Sequence, residues 1–160
     1  MLGPFTYQIK VVNGEMQKDR NFESPVTLNN GKIYVISDNL QIIYVGVTSQ
    51  SIGTRLRTGQ DHFKNPKNGY YGYKWLNEDR NLYLDIFVSE ESEIREDNEF
   101  IETVEAEVAY LVRNLDGQWP ANQTEIHFHP SSEKHRRAAL FIVNAIKNRS
   151  TIAAKAISSM

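Results

Sequence analysis

Two short runs of β-branched and aromatic residues flank a turn-forming cluster, and this arrangement constrains the chain more than anything else in it. Lys32 to Ser37 and Gln41 to Val47 read as strands, with Ser37-Asp38-Asn39-Leu40 between them. The reading is a β-hairpin. With Asp38, Asn39 and Leu40 as its loop, Ser37 opposes Gln41, Ile36 opposes Ile42 and Tyr34 opposes Tyr44. Directly opposed Cβ atoms lie roughly 4.5 to 5.5 Å apart, so both phenols would share one face. A slip of one residue would separate them. Eleven residues after Tyr44 stands Arg55, in a segment that reads as a loop followed by a helix capped by Ser49 or Ser51. Ile52 and Leu56, four apart, would pack on the sheet. Arg55 then projects from near the buried side, while Arg57 is solvated.

A second helix is expected from Glu96 to Asn114, with Phe100, Ile101, Val104, Val108, Leu111 and Val112 as its apolar stripe. Three glutamates compete within it. On a wheel centred on Val104, at about 100° per residue, Glu107 falls roughly 60° away, Glu105 about 100° and Glu102 nearly opposite. Glu107 is therefore the carboxylate expected to face the sheet.

The ordered series Lys32-Ile33-Tyr34, Tyr44-Val45-Gly46 and Thr48-Ser49-Gln50-Ser51-Ile52-Gly53-Thr54-Arg55-Leu56 resembles the GIY-YIG nuclease superfamily. Lys32 stands for the first glycine of that name and Val45 for its central isoleucine. The resemblance covers roughly residues 31–126. It implies an α/β (α+β) fold with a small, mostly antiparallel three-stranded sheet flanked by helices, here carrying an N-terminal strand extension (1–30) and a C-terminal helix and tail (131–160) in a single domain. It also implies a divalent-metal-dependent DNA endonuclease. Glu107, three positions before the aromatic Tyr110, matches the family's metal-binding glutamate, a hard oxygen ligand suited to Mg²⁺ or Mn²⁺. Arg55 would grip phosphate oxygens as a planar fork. Tyr34 would be the general base and Tyr44 would orient water or phosphate. A phenol of pKa about 10 needs nearby cations to serve as a base at neutral pH, and Lys32, Arg55 and the metal are the candidates. Such an enzyme could serve restriction, a phage, a mobile element or repair, and restriction suits a short chain whose loops and added helix can carry recognition. The competing class is a non-catalytic nucleic-acid-binding module.

Two further positions are ambiguous. His62 follows Arg55 by seven residues, slightly farther than the family's histidine or tyrosine, and reads either as a phosphate ligand or proton donor or as a surface histidine. Asn122, in Trp119-Pro120-Ala121-Asn122-Gln123, matches the family's supporting asparagine. Its amide would hold a phosphate or the hairpin, or simply stabilise a turn. A rival metal centre is also conceivable. Glu125, His127 and His129 alternate, so on a strand they would point one way, as zinc ligands would.

Charge is segregated along the chain. Residues 31–75 carry six basic and two acidic side chains, 76–125 carry three and fourteen, and 126–160 carry six and one. The arginine helix and a C-terminal helix are thus expected to form a positive face for DNA, with Lys32, Arg57, Lys64, Lys67, Arg136 and Arg137 as contacts and the acidic middle turned away. That last helix should start after Ser131 or Ser132 and bury Ala139, Leu140, Val143 and Ile146. Upstream, Phe5 to Val12 reads as a strand, Asn13 to Arg20 as a polar loop, Val26-Thr27-Leu28 as a further strand and Leu82 to Val88 as a core strand. Tyr70, Tyr71 and Tyr73 would stack on bases or pack a loop, and Trp75 would join the core. Cysteine is absent and no apolar run approaches the roughly 20 residues of a membrane span, so a cytoplasmic protein is expected. DNA is the expected partner, a homodimer is left open, and neither membrane nor organic cofactor is implied.

Overall fold

The computed structural model describes the chain apart from residues 40, 68, 70, 71, 91–96, 124, 125, 159 and 160 and the side chains of 97, 98 and 150–158. Five strands, β1 (Leu2–Val12), β2 (Glu15–Lys18), β3 (Lys32–Ser37), β4 (Ile42–Thr48) and β5 (Arg80–Val88), form one sheet in the order β2-β1-β5-β3-β4. Every neighbouring pair is antiparallel. Helices α1 (Ile52–Lys64), α2 (Asp97–Asp116) and α3 (Glu133–Ser158) and a 3₁₀ turn (Lys74–Asn77) complete the fold.

The sheet is wider than the expected three strands because the N-terminal extension joins it. β1 pairs with β5 over most of its length, so that Ile86 lies beside Phe5 on one side and Tyr34 on the other. The segment expected as a polar loop contains the short strand β2 instead. Asn13 and Gly14, both at positive φ (51° and 76°), make the two-residue turn that twists β2 back onto β1. The strand expected near Val26 is a turn. Val26 is buried there, and its carbonyl accepts the N–H of Ile52, which starts α1.

Alternation along the strands builds two cores. Tyr34, Ile36 and Tyr44 point with Ile9, Leu84 and Ile86 toward α1 and the 3₁₀ turn. Ile33, Val35, Val45 and Phe87 point the other way, toward α2 and α3. All six residues of β3 are buried, as expected of a strand covered on both sides. On α3 the inward set is Ala139, Ile142, Val143 and Ile146; Leu140, expected inside, is 48% exposed because it sits about 100° off that stripe.

A consequence follows for charge. α1 and α3 cover opposite faces of the sheet, so Arg136 and Arg137 do not extend the basic surface of α1. Arg136 instead bonds Ser131 at the start of its own helix, and Arg137 pairs with Glu133 one turn back.

α3 is tied to the sheet by an ion pair absent from the sequence reading. Arg149 donates to both oxygens of the buried Asp85 on β5 (2.6 and 2.7 Å) and to the Ser37 hydroxyl (3.0 Å), while Thr6 donates to the same carboxylate at 2.6 Å. Removing one partner of such a pair is far costlier than the pair is stabilising. Arg149→Leu should lower unfolding free energy by about 3 kcal/mol in urea titrations, and Asp85→Asn in the same chain should recover a large part of that loss. Equal, additive losses would show that the two side chains do not act together.

Candidate active site

The hairpin register differs from the expected one by two residues. Tyr34 pairs with Gly46 and Ile36 with Tyr44, with an irregularity between Ile36 and Ser37 that lets Ser37 meet Ile42. An even shift keeps both phenols on one face but sets them diagonally, with ring centroids 5.9 Å apart. Gly46 makes this packing feasible. A Cβ there would lie 2.4 Å from Tyr34 Cζ and 2.8 Å from a Tyr44 ring carbon, so any larger residue would push the phenols apart.

A third phenol completes the cluster. The Tyr73 ring lies against Gly59 of α1 and stacks on Trp75 at 5.0 Å, and its hydroxyl meets that of Tyr34 at 2.8 Å. Tyr73 is therefore core rather than an exposed loop aromatic; Tyr70 and Tyr71 lie outside the described residues. Gly59 and Gly72 are its signature, since a Cβ on either would collide with the ring or with the α1 backbone.

Arg55, half-buried on α1, stands 5.4 Å over the Tyr73 ring. Its positive charge opposes the upward pKa shifts of Tyr34, Tyr44 and Glu105, which places all three within its field. Burial, reinforced by the neighbouring phenol of the pair Tyr34–Tyr73, still drives Tyr34 well above its ordinary value. Burial and Tyr34 do the same to Tyr44. Both are neutral hydroxyls at physiological pH.

Glu105, not Glu107, is the carboxylate brought to this group. It is 6% exposed and adds its negative charge to the environment of Tyr44, whereas Glu107 is partly exposed on the helix flank. The reason is the width of the buried arc. α2 packs against both the sheet and α3, so Ile101, Ala109 and Val112 are as buried as Val104, and the middle of the arc moves roughly 50° toward Glu105. Burial first, and Glu102 one turn back second, raise Glu105 to about 8, with Arg55 offsetting part of the shift.

Other expected residues lie elsewhere. Lys32 is buried, its ammonium bonded to the carbonyls of Leu28, Asn30 (2.7 Å) and Gln50 (2.8 Å), so it anchors the loops before β3 and after β4 and cannot touch DNA. Burial lowers it to about 8, and it is not among the charges acting on Tyr34. His62 lies two turns beyond Arg55, about 10 Å along α1, with Nδ1 2.8 Å from the Thr58 carbonyl, in a depression shared with Asp61, Asn65 and Lys67. Arg57 and Lys67 are exposed, and Lys64 pairs with Glu15. Asn122 acts through its backbone, donating to the Ile43 carbonyl at 2.9 Å. Next to it the Gln123 amide brackets Val45, accepting from its N–H (2.9 Å) and donating to its carbonyl (3.0 Å), and so extends the ladder beyond the edge strand β4. Residues 126–132 are not a strand, which removes the alternation expected to align His127 and His129. His129 bonds Glu102 at 3.0 Å, His127 is exposed, and Glu125 lies outside the described residues. Among the described residues no three histidine or acidic side chains group to hold a metal, and no helix is long and apolar enough to cross a membrane.

Arg55 thus joins two phenols on the hairpin to a carboxyl on α2. Such a set can hold a phosphate at the guanidinium, donate hydrogen bonds from neutral hydroxyls and offer one hard oxygen ligand. No family model, curated protein or solved structure matches the chain.

Glu105 makes a stability test of this geometry. Its folded pKa of about 8 exceeds the unfolded value of 4.5, so between those values the folded chain holds a proton that the unfolded chain releases. Stability therefore falls as pH rises through that window and levels off above it. Without divalent cations, Glu105→Gln should raise stability by a few kcal/mol at pH well above 8, change it little near pH 4 and flatten the slope between. An unchanged slope would mean that residue 105 does not face the buried side.

Proposed function

We propose that the protein is a divalent-metal-dependent DNA endonuclease of the GIY-YIG type. The observation that carries this reading is the Arg55 guanidinium set over a cluster of three phenols, Tyr73 with Tyr34 on β3 and Tyr44 on β4, with its charge also acting on the buried Glu105 of α2. Phosphodiester hydrolysis needs the negative charge on phosphorus neutralised, a water aligned for attack and the leaving oxygen stabilised.

Arg55 would supply the first, as a planar fork on non-bridging oxygens. Tyr44, the less deeply buried of the two phenols, would donate to phosphate or to the attacking water. Tyr34 bonds the Tyr73 hydroxyl and packs its ring against that of Tyr44, and so helps to hold Tyr44 in place. With its ionisation opposed by burial, Tyr34 acts as a positioning residue rather than as the base.

Glu105 fits a hard divalent cation. It is a buried carboxyl whose charge Arg55 only partly offsets, and Mg²⁺ commonly takes one or two protein carboxylates, with water and phosphate filling its other positions. When bound, the ion would polarise a phosphate oxygen and lower the pKa of water. Until then Glu105, at about 8, keeps its proton at neutral pH and would release it on taking the ion. Arg57 and Lys67, exposed on and beyond α1, would contact the phosphates that flank the cut. The ends of the digested DNA would distinguish a restriction role from repair or mobile-element roles.

Supercoiled plasmid incubated with the protein should be nicked or linearised with Mg²⁺ and left intact with EDTA. Arg55→Ala and Glu105→Gln should each reduce the rate by at least about 100-fold, Tyr34→Phe by about tenfold, and Glu107→Gln by less than twofold. DNA binding without cleavage would assign a non-catalytic module, and full loss in Glu107→Gln with an active Glu105→Gln would return the metal to residue 107.

A further inference from the structure

Large aromatic rings stand exposed on the C-terminal half of α2 and in the segment after it. Tyr110 on α2 is 49% exposed, Trp119 just beyond the helix 37% and Phe128 66%. The last two meet edge to face at 6.4 Å, and the Arg113 guanidinium lies 5.2 Å over the Trp119 ring. Neither core contains them. Trp119 lies shortly before Asn122 and Gln123, which bond β4, and Phe128 adjoins His129, which bonds Glu102 on α2.

We infer that Trp119, Phe128 and Arg113 form a platform for unpaired nucleobases next to the reaction centre, an inference that rests on the nuclease reading. Ring faces offer stacking to any base, and a cation lying on the tryptophan suits a strand whose phosphates run beside its bases. Position agrees. Arg113 follows Glu105 by eight residues on one helix, about 12 Å, or between three and four stacked base steps of roughly 3.4 Å. Bases a few nucleotides from the cut would thus leave the duplex and stack here, giving the protein a preference for frayed, flapped or single-stranded flanks.

Tryptophan fluorescence tests this on the native chain. Of the two tryptophans, Trp75 is fully buried and Trp119 is not, so quenching by a bound strand reports on Trp119. A labelled single-stranded oligonucleotide of about ten nucleotides, titrated in Ca²⁺ to suppress cleavage, should bind by anisotropy and quench the emission saturably. A sugar-phosphate strand of equal length without bases should bind more weakly and leave the emission unchanged. Trp119→Ala should weaken binding of the base-bearing strand about tenfold, with Trp119→Phe close to wild type. Binding without quenching, or equal quenching by the abasic strand, would overturn the platform while leaving the nuclease reading intact. A concentration-dependent blue shift with dimerisation in the absence of nucleic acid would assign the rings to a second copy of the chain and also overturn it. A flat anisotropy titration would overturn the platform, while plasmid cleavage alone decides the nuclease reading.

Discussion

The Arg55 guanidinium holds the arrangement together electrostatically. Tyr34, Tyr44 and Glu105 are buried groups whose ionisation the protein interior opposes, and Arg55 is the positive charge that each of them feels. Its own position follows from packing. Ile52 and Leu56 anchor α1 on the sheet, and Arg55 emerges beside them over the Tyr73 ring. Replacing it would remove a positive charge that opposes protonation of Glu105, and so would work against divalent binding there.

Close backbone approach provides the space. Gly46 lets the Tyr34 ring cross the neighbouring strand, and Gly59 lets Tyr73 lie flat on α1. These two contacts bring hydroxyls from β3, β4 and the segment before the 3₁₀ turn into one cluster. On the far face, α2 and α3 pack together and Arg149 locks α3 to Asp85, and that packing turns Glu105 inward. The carboxyl thus depends on a helix layer that never touches the phenols. Such dependence explains how a buried acid with a raised pKa persists, since the packing of α2 against the sheet and α3 holds it in place.

Local chemistry made much of this legible. Turn residues between β-branched runs gave the hairpin, an amphipathic run gave α1, which starts after Ser51 although that serine makes no side-chain capping bond, and the period of 3.6 gave α2 and most of α3. The half-buried Arg55 beside the exposed Arg57 also followed from helix geometry. What was hidden depended on partners distant in sequence. The two-residue register difference arises at an irregularity by Ser37, and only the pairing of Gly46 with the Tyr34 ring signals it. Glu105 was misplaced because the wheel was centred on Val104, as though α2 met the sheet alone. Centring the wheel on the whole stripe, with Ala109 added to it, brings Glu105 nearer the buried side than Glu107. Lys32 reads as a basic contact in sequence, yet three carbonyls capture it inside. Asn13-Gly14 did signal the β1–β2 hairpin and was absorbed into a polar loop.

Metal position distinguishes these alternatives most directly. Crystals of the protein with a DNA duplex, soaked in Mn²⁺ and measured at the manganese edge, should give an anomalous peak about 2.0 to 2.2 Å from a Glu105 carboxylate oxygen, with a backbone phosphate between the ion and Arg55. A peak at Glu107 or between His127 and His129, with none at Glu105, would contradict the assignment of the reaction centre.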